Sequence, residues 1–270
     1  MLNKKLLKPL LLASFITVVS ACSSQPNYRD ASKSNLTISN PAVFADREKF
    51  YQSTKNYQAL INLYRARLSA EDQRNETNPA LTYRLAETYF AAKDYNSTLT
   101  YLAPLLNNKE YMEQALLLET KALIKLQRPA QALTVASQLI NLYPKNADAY
   151  NNRAIAYSQL GKPDKAYTDF ISARGHYLND LVAINNLGML SLVQGDYQNA
   201  VRLLMPEYLN GIRDKVLVHN LVFALVKAGK IEDAKDIIQN NQLSSFPDSL
   251  ISALKATPRF SVKNTRYSHN

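Results

Sequence analysis

Three stretches of the sequence, GKPDKAYTDF at 161–170, GDYQNAVRLL at 195–204 and GKIEDAKDII at 229–238, start 34 residues apart. All three have glycine at their first place and alanine at their sixth. Shifting the whole chain against itself by the same interval extends the match back to residue 79, with units that start at 79, 113, 147, 181 and 215. A fixed period of this length indicates a repeat architecture in which each unit is one supersecondary element.

The residue pattern within each unit predicts two amphipathic helices separated by a short turn. Gly161, Gly195 and Gly229 fall at position 15 of their units, where a residue of positive φ is wanted to end the first helix. Pro129 and Pro163 follow two residues later, at or near the first position of the second helix, where a missing N–H costs nothing.

Small and large residues alternate in a way that lets neighbouring helices approach closely. The small ones recur at positions 8 and 20, and larger partners recur at position 24 to fill the space that they leave. Position 8 holds Ala86, Thr120, Ala154, Gly188 and Val222; position 20 holds Thr98, Ala132, Ala166, Ala200 and Ala234; position 24 holds Leu102, Ala136, Phe170, Leu204 and Ile238.

This spacing resembles the tetratricopeptide repeat from residue 79 to residue 246. The resemblance implies an all-α solenoid of about five repeats. Four residues depart from the pattern: Glu119 and Arg153 occupy position 7, which is usually apolar, and Lys93 and Gln127 replace the turn glycine in the first two repeats. We expect looser turns in those two repeats.

The flanking segments are predicted to close the ends of the array. A divergent helix pair and loop over 41–78 precede it, and a capping helix over 247–257 follows it, since terminal repeats would otherwise expose their stacking faces. Residues 258–270 contain three basic residues and no acid, which predicts a disordered basic tail. Pro104 and Pro206 fall inside second helices, which should therefore kink or stop early.

The beginning of the chain predicts export. Lysines stand at 4, 5 and 8, and an apolar run over 9–19 follows, which is too short to span a bilayer but has the length of a signal-peptide core. The sequence VVSACSS at 18–24 then contains Cys22, the single cysteine among 270 residues.

The stretch VVSACSS resembles the lipobox of bacterial lipoproteins. The resemblance implies a signal peptide over 1–21, a lipid anchor on Cys22 and a flexible tether over 22–40. Because Ser23 follows the cysteine where an Asp tends to retain lipoproteins at the inner membrane, it also implies the periplasmic face of the outer membrane. The alternative is an ordinary secretory signal with an incidental cysteine.

Composition narrows the function classes. The formal charge is +10, and it falls to +7 when three lysines leave with residues 1–21. Basic and acidic residues are interspersed, so we expect no nucleic-acid partner. Three scattered histidines, six glycines without a phosphate-binding loop and no second cysteine predict no catalytic residues, no metal site and no cofactor. The protein is therefore expected to bind other proteins and not to be an enzyme.

In tetratricopeptide arrays the first helices line a concave inner wall, so the repeat register predicts a partner-binding groove in repeats 3 to 5. Its polar residues are Asn151, Asn152, Asn185, Asn186, His219 and Asn220; its apolar residues are Ile155, Met189, Leu192, Val193, Phe223 and Val226, with Val182 and Val216 extending the same surface. An apolar wall flanked by amides suits an amphipathic helix.

Two alternatives stay open for the groove. The asparagines at position 6 can belong to the general repeat pattern, and the closing helix or the tail can fold back over the apolar wall. Repeats 1 and 2 differ, since Lys121 and Lys125 stand near Glu87 in register, which favours an acidic or mixed-charge partner segment there.

VVSACSS, GKPDKAYTDF and NNLGMLSLVQGDYQNAV together resemble the tetratricopeptide lipoproteins of the tight-adherence (Tad/Flp, type IVb) pilus apparatus. The resemblance implies a pilotin-like role in helping a secretin channel reach, or assemble in, the outer membrane for pilus assembly and cell adhesion. Two other functions remain: a periplasmic scaffold that docks cell-wall hydrolases or other envelope enzymes, and a structural component of a different type IV pilus.

Overall fold

The computed structural model describes residues 40–259. The expected signal peptide, Cys22, nearly all of the expected tether and the last eleven residues of the expected tail lie outside this range. Within it, the chain folds into thirteen α-helices without a β-strand, which confirms the all-α prediction. They are α1 (Pro41–Ser53), α2 (Tyr57–Asp72), α3 (Pro79–Ala91), α4 (Tyr95–Leu102), α5 (Met112–Lys125), α6 (Pro129–Leu142), α7 (Ala147–Gln159), α8 (Pro163–Gly175), α9 (Asp180–Gln194), α10 (Tyr197–Leu209), α11 (Lys215–Lys227), α12 (Ile231–Asn240) and α13 (Pro247–Ala256).

Local sequence determines where the helices begin. Side chains of Asn78, Asn146, Asn179 and Asp214 cap the first helices of four repeats by accepting a backbone N–H three residues on. Each such cap stabilises its helix by about 1 kcal/mol. Prolines begin the second helices α6 and α8, where their fixed φ suits the first turn.

The turns between first and second helices are alike in all five repeats, so the expectation of looser turns in repeats 1 and 2 is wrong. Lys93 and Gln127 adopt φ of 65° and 57°, close to the 67° of Gly161. In repeat 1 the N–H groups of residues 93 and 94 bond to the carbonyls of residues 90 and 89, and later repeats make the same pair of bonds. These bonds hold a side-chain-bearing residue in the left-handed region despite its steric cost.

Packing between the two helices of a repeat follows the small and large pattern. All five residues at position 20 are completely buried. In repeat 4 a methyl group added to Gly188 would lie 2.8 Å from Leu204 Cδ2, which is closer than a carbon atom can approach without displacement. The glycine therefore makes room for a large, fully buried neighbour on the second helix.

The two prolines at position 26 have different effects. At Pro104 the α-helix has already ended, and residues Ala103–Leu105 form a short 3₁₀ turn, as expected of a proline that stops a helix. By contrast, α10 continues through Pro206 to Leu209. Pro206 costs that helix one backbone hydrogen bond but does not end it.

The arrangement of helices places the first helix of each repeat on the inner side of the array. First helices of successive repeats contact each other, whereas second helices of successive repeats do not approach one another to the same extent. A stack of helix pairs with this property curves, and its first helices line the concave side. The backbones of α7 and α9 approach each other less closely than those of the other consecutive first helices in the repeats.

The ends of the described chain are closed by helices, as predicted. The α1–α2 pair has the turn of the repeats, with Lys55 at φ 52° and a bond from the Asn56 N–H to the Tyr51 carbonyl. At the other end α13 packs against α11 and α12, and Ile251 is buried there among the residues of the last repeat. None of the helices within 40–259 has the length and apolar character that a membrane crossing needs.

Candidate partner-binding surface on the inner wall

Six apolar residues on α7, α9 and α11 form a surface on the inner wall, called the inner strip below. Its members are Ile155, Val182, Met189, Val193, Val216 and Phe223. Met189 is 40% exposed and Val182 and Val216 are also exposed, whereas the other three are half-buried. Exposed apolar side chains that recur at equivalent positions along a concave wall are typical of a protein-binding site.

Two of the apolar residues predicted for the groove are not available to a partner. Leu192 and Val226 are only 5% and 3% exposed and belong to the hydrophobic core shared by repeats 4 and 5. Position 12 lies three residues after position 9, which turns it by only about 60° around the helix, but there the neighbouring helices cover it. These two side chains support the inner strip from below.

The asparagines fall into two groups. Asn186 Nδ2 donates to Asn151 Oδ1 at 2.6 Å, so these two amides join repeats 3 and 4 to each other. Asn152 and Asn185 are 4% and 9% exposed, and within residues 40–259 the Nδ2 of the first and the Oδ1 of the second have no hydrogen-bond partner. A buried amide group without a partner costs the folded state free energy, and at this burial the two atoms are not available to a partner.

The remaining polar residues of the predicted groove lie in repeat 5. His219 is exposed and Asn220 is half-buried. Lys227, one turn beyond Phe223 on α11, places its ammonium 5.7 Å from the centre of that ring. Repeat 5 therefore has a cation over an aromatic ring beside the apolar residues, and this cation also donates to the Lys255 carbonyl.

Repeats 1 and 2 present a different inner wall. Lys121 is half-buried, and Lys125 and Glu87 are exposed. Glu119 is half-buried on α5, and burial raises the pKa of its carboxyl above the ordinary value. The charge pattern that favours a mixed-charge partner here stays a prediction. Within the described residues, no three His, Cys, Asp or Glu side chains cluster as metal ligands do.

A second concavity, which no sequence pattern indicated, lies along α10, the second helix of repeat 4, beside the turn before α12. It has a volume of about 680 Å³. Its apolar lining is Val201, Met205, Pro206 and Leu209, and Arg202 and Lys230 stand at its border. Residues on the outer helices have no fixed register position for binding, so only the folded structure reveals this concavity.

Comparison with known proteins supports the fold. A model of the tetratricopeptide repeat matches residues 135–168, which run from the second half of α6 into α8. No significant match was found among proteins with curated functions.

Solved structures give the same result over more of the chain. A tetratricopeptide repeat protein from Parabacteroides merdae is 16% identical, with a TM-score of 0.65 over 83% of this chain and 88% of that one. A thermophilic protein of this repeat class from Thermus thermophilus is 21% identical, with a TM-score of 0.54 over 65% and 93%. The Cut9–Hcn1 hetero-tetramer of APC/C is 16% identical, with a TM-score of 0.53 over 74% and 39%.

At these identities the likeness concerns the fold alone. Together with the repeat turns and the small and large packing positions, it identifies the described chain as a tetratricopeptide-repeat solenoid, an architecture that suggests a protein-binding scaffold.

Proposed function

We propose that this protein is an outer-membrane lipoprotein whose inner strip binds a helical segment of a secretin subunit during assembly of a tight-adherence pilus. The observation that carries the proposal is the exposed apolar surface around Met189 on the concave wall. Burying such side chains contributes about 25 cal/mol per Å² of apolar surface removed from water. An amphipathic helix laid across α7, α9 and α11 would cover it.

The reachable polar groups beside the strip favour a peptide as the ligand. His219 is exposed and Asn220 is half-buried on α11. Carbonyl and N–H groups at the end of a bound helix need such partners, because the last turn leaves them without bonds of their own.

The proposed membrane anchor rests on VVSACSS at 18–24. A flexible tether over 22–40 has an end-to-end distance of roughly 25 Å. Lipid on Cys22 would therefore hold the repeats close to the periplasmic face of the membrane, where a secretin assembles. Two or three acyl chains give stable anchoring, whereas one chain binds only marginally.

The binding part of the proposal is tested by cross-linking the full-length protein in its native cells and identifying the captured proteins by mass spectrometry. Met189→Glu places a charge in the inner strip, and Ile171→Glu makes the same change at a residue on α8 that is 42% exposed, away from the strip. We expect the secretin in the cross-links of the native protein and of Ile171→Glu, and its loss from Met189→Glu with helicity unchanged by circular dichroism.

Retention of the secretin by Met189→Glu would contradict the use of the inner strip. Cell-wall hydrolases or other envelope enzymes in place of a secretin would instead favour a periplasmic scaffold. The anchor is tested separately with Cys22→Ser, which should move the protein out of the membrane fraction and abolish incorporation of labelled palmitate.

A further inference from the structure

The chain leaves the capping helix α13 across the inner side of the array. Lys227 Nζ donates to the Lys255 carbonyl at 2.9 Å and also to the carbonyl of Thr257. Lys227 belongs to the inner wall, since its ammonium lies over the ring of Phe223 from the inner strip. These bonds tie the segment after α13 to the concave side of repeat 5.

The next contact lies one repeat further back. The Arg259 guanidinium donates to the Gln194 carbonyl at the end of α9. It fits against Gly195, where a Cβ atom would lie only 2.5 Å from Arg259 Nε. The equivalent glycine of the next repeat, Gly229, has nothing within 4 Å of its Cβ position. The close contact beside Gly195 is therefore made by this segment, and it is not a general feature of the turns in the repeats.

These contacts give the segment a direction. Thr257 is extended, with φ −58° and ψ 125°, and Pro258 follows it. Thr257 lies beside Lys227 of repeat 5, and the side chain of Arg259, two residues later, reaches Gln194 of repeat 4, so the segment is directed from repeat 5 towards repeat 4.

Eleven further residues, FSVKNTRYSHN at 260–270, continue from this point. Fully extended they reach up to about 36 Å, whereas neighbouring packed helices lie about 10 Å apart. The segment is therefore long enough to cross the whole inner strip.

We infer that residues 260–270 occupy the inner strip in the free protein, so that a partner has to displace them. In an extended segment Phe260 and Val262 lie on the same side and would cover Met189 and Val193. This inference rests on the strip of the proposed function, but it requires no other protein.

Paramagnetic broadening in NMR tests it on the full chain. Cys22→Ser removes the native cysteine, and Ser268→Cys then carries a single nitroxide near the end of the segment. The chain has four methionines, and their labelled methyl groups include Met189 in the inner strip and Met205 on the second helix α10. We expect the Met189 signal to lose most of its intensity and the Met205 signal to keep most of it, with both restored by reduction of the nitroxide. Equal intensities for the two signals would overturn the inference.

Two glycine variants provide a matched second test. Gly195→Ala and Gly229→Ala each place alanine at a similar positive φ, of 77° and 79°, so their effects on the turn are alike. Only the first displaces Arg259. The broadening of Met189 should therefore fall in Gly195→Ala and persist in Gly229→Ala, and the same broadening in both would overturn the role of this contact. If the Met189 signal is broadened but no secretin is captured, the inference stands and the proposed function is rejected. If the secretin is captured but the Met189 signal is not broadened, the proposed function stands and the inference is rejected.

Discussion

Arg153 on α7 and Asp169 on α8 form a two-bond ion pair across the third repeat, with Nε to Oδ2 at 2.7 Å and Nη2 to Oδ1 at 2.8 Å. Asp169 is only 4% exposed, and the guanidinium also lies over the rings of Tyr150 and Tyr157. A planar guanidinium matches a carboxylate in this way better than an ammonium does. The charged residue at a usually apolar position is thus explained by its partner on the second helix.

Replacement of Arg153 by leucine should destabilise the protein strongly. It leaves the buried carboxylate of Asp169 without its counter-charge, which costs about 3–5 kcal/mol. The double variant Arg153→Leu/Asp169→Leu should recover most of the loss, because no uncompensated charge remains. Urea unfolding monitored by circular dichroism gives the free energy of unfolding of the single and the double variant.

The control for this ion pair is Arg174, which pairs with Asp180 at 2.9 Å on the exposed surface. Arg174→Leu should cost less than about 1 kcal/mol, as exposed ion pairs contribute little. A loss in Arg153→Leu no larger than that of the control would show that Asp169 is not effectively buried.

Glycine in place of Gln127 or Lys93 should stabilise the protein by about 1 kcal/mol at each turn. Both residues have positive φ, which costs a side-chain-bearing residue roughly 1–2 kcal/mol, whereas glycine adopts it readily. Thermal unfolding of Gln127→Gly measures the gain. The control is Gln138→Gly, which makes the same change inside α6 and should lower the free energy of unfolding by about 1 kcal/mol. Destabilisation by both variants would contradict the strain assigned to Gln127.

These turns show which part of the fold the sequence can predict. The glycines of repeats 3 to 5 correctly predicted where first helices end. Lys93 and Gln127 gave no such signal, because the conformation there is imposed by two backbone hydrogen bonds and by helix packing, not by the residue itself. The 34-residue period and the position within the repeat therefore predict the turn. The type of residue at that position determines only how strained the backbone of the turn is.

Glu119→Gln should stabilise the protein at neutral pH. Burial raises the pKa of the Glu119 carboxyl above its ordinary value of 4.5, so the folded state binds the proton more tightly than the unfolded state. The associated stability is present below pH 4.5 and is lost as pH rises through the folded pKa. The glutamine variant should remove this pH dependence and gain less than about 1 kcal/mol at pH 7, since the carboxyl is only half-buried.

The measurement for Glu119 is the free energy of unfolding as a function of pH. Glu110→Gln changes an exposed glutamate before α5 and is the control. If both variants have the same effect at every pH, the burial of Glu119 has no energetic consequence.

Gly188→Ala should destabilise the fourth repeat. The added methyl group would overlap Leu204, and overpacking of this kind costs about 1–3 kcal/mol, which outweighs the gain of about 1 kcal/mol in helix propensity. Leu204→Val shortens the neighbour and should restore part of the loss in the double variant. The melting temperatures of the two single variants and the double variant test this coupling, and additive effects would contradict it.

The inner wall shows where sequence reasoning about the site reaches its limit. Register alone assigned Met189 and Leu192 to the same surface, but only Met189 is exposed. Positions three residues apart on a helix point in similar directions, and the curvature of the array determines which of them a neighbouring helix covers. The bond between Asn186 and Asn151 joins side chains 35 residues apart in sequence, so no local pattern could indicate it.

That same bond lies where α7 and α9 approach each other least closely among the consecutive first helices of the repeats. In a solenoid each unit contacts only its neighbours, so resistance to bending is set junction by junction. We expect the concave side of the junction between repeats 3 and 4 to open more easily than the concave side of the other junctions. When the solenoid is stretched or its groove widens, the first helices should therefore separate first between α7 and α9, with the amide bond from Asn186 to Asn151 as the link that has to break.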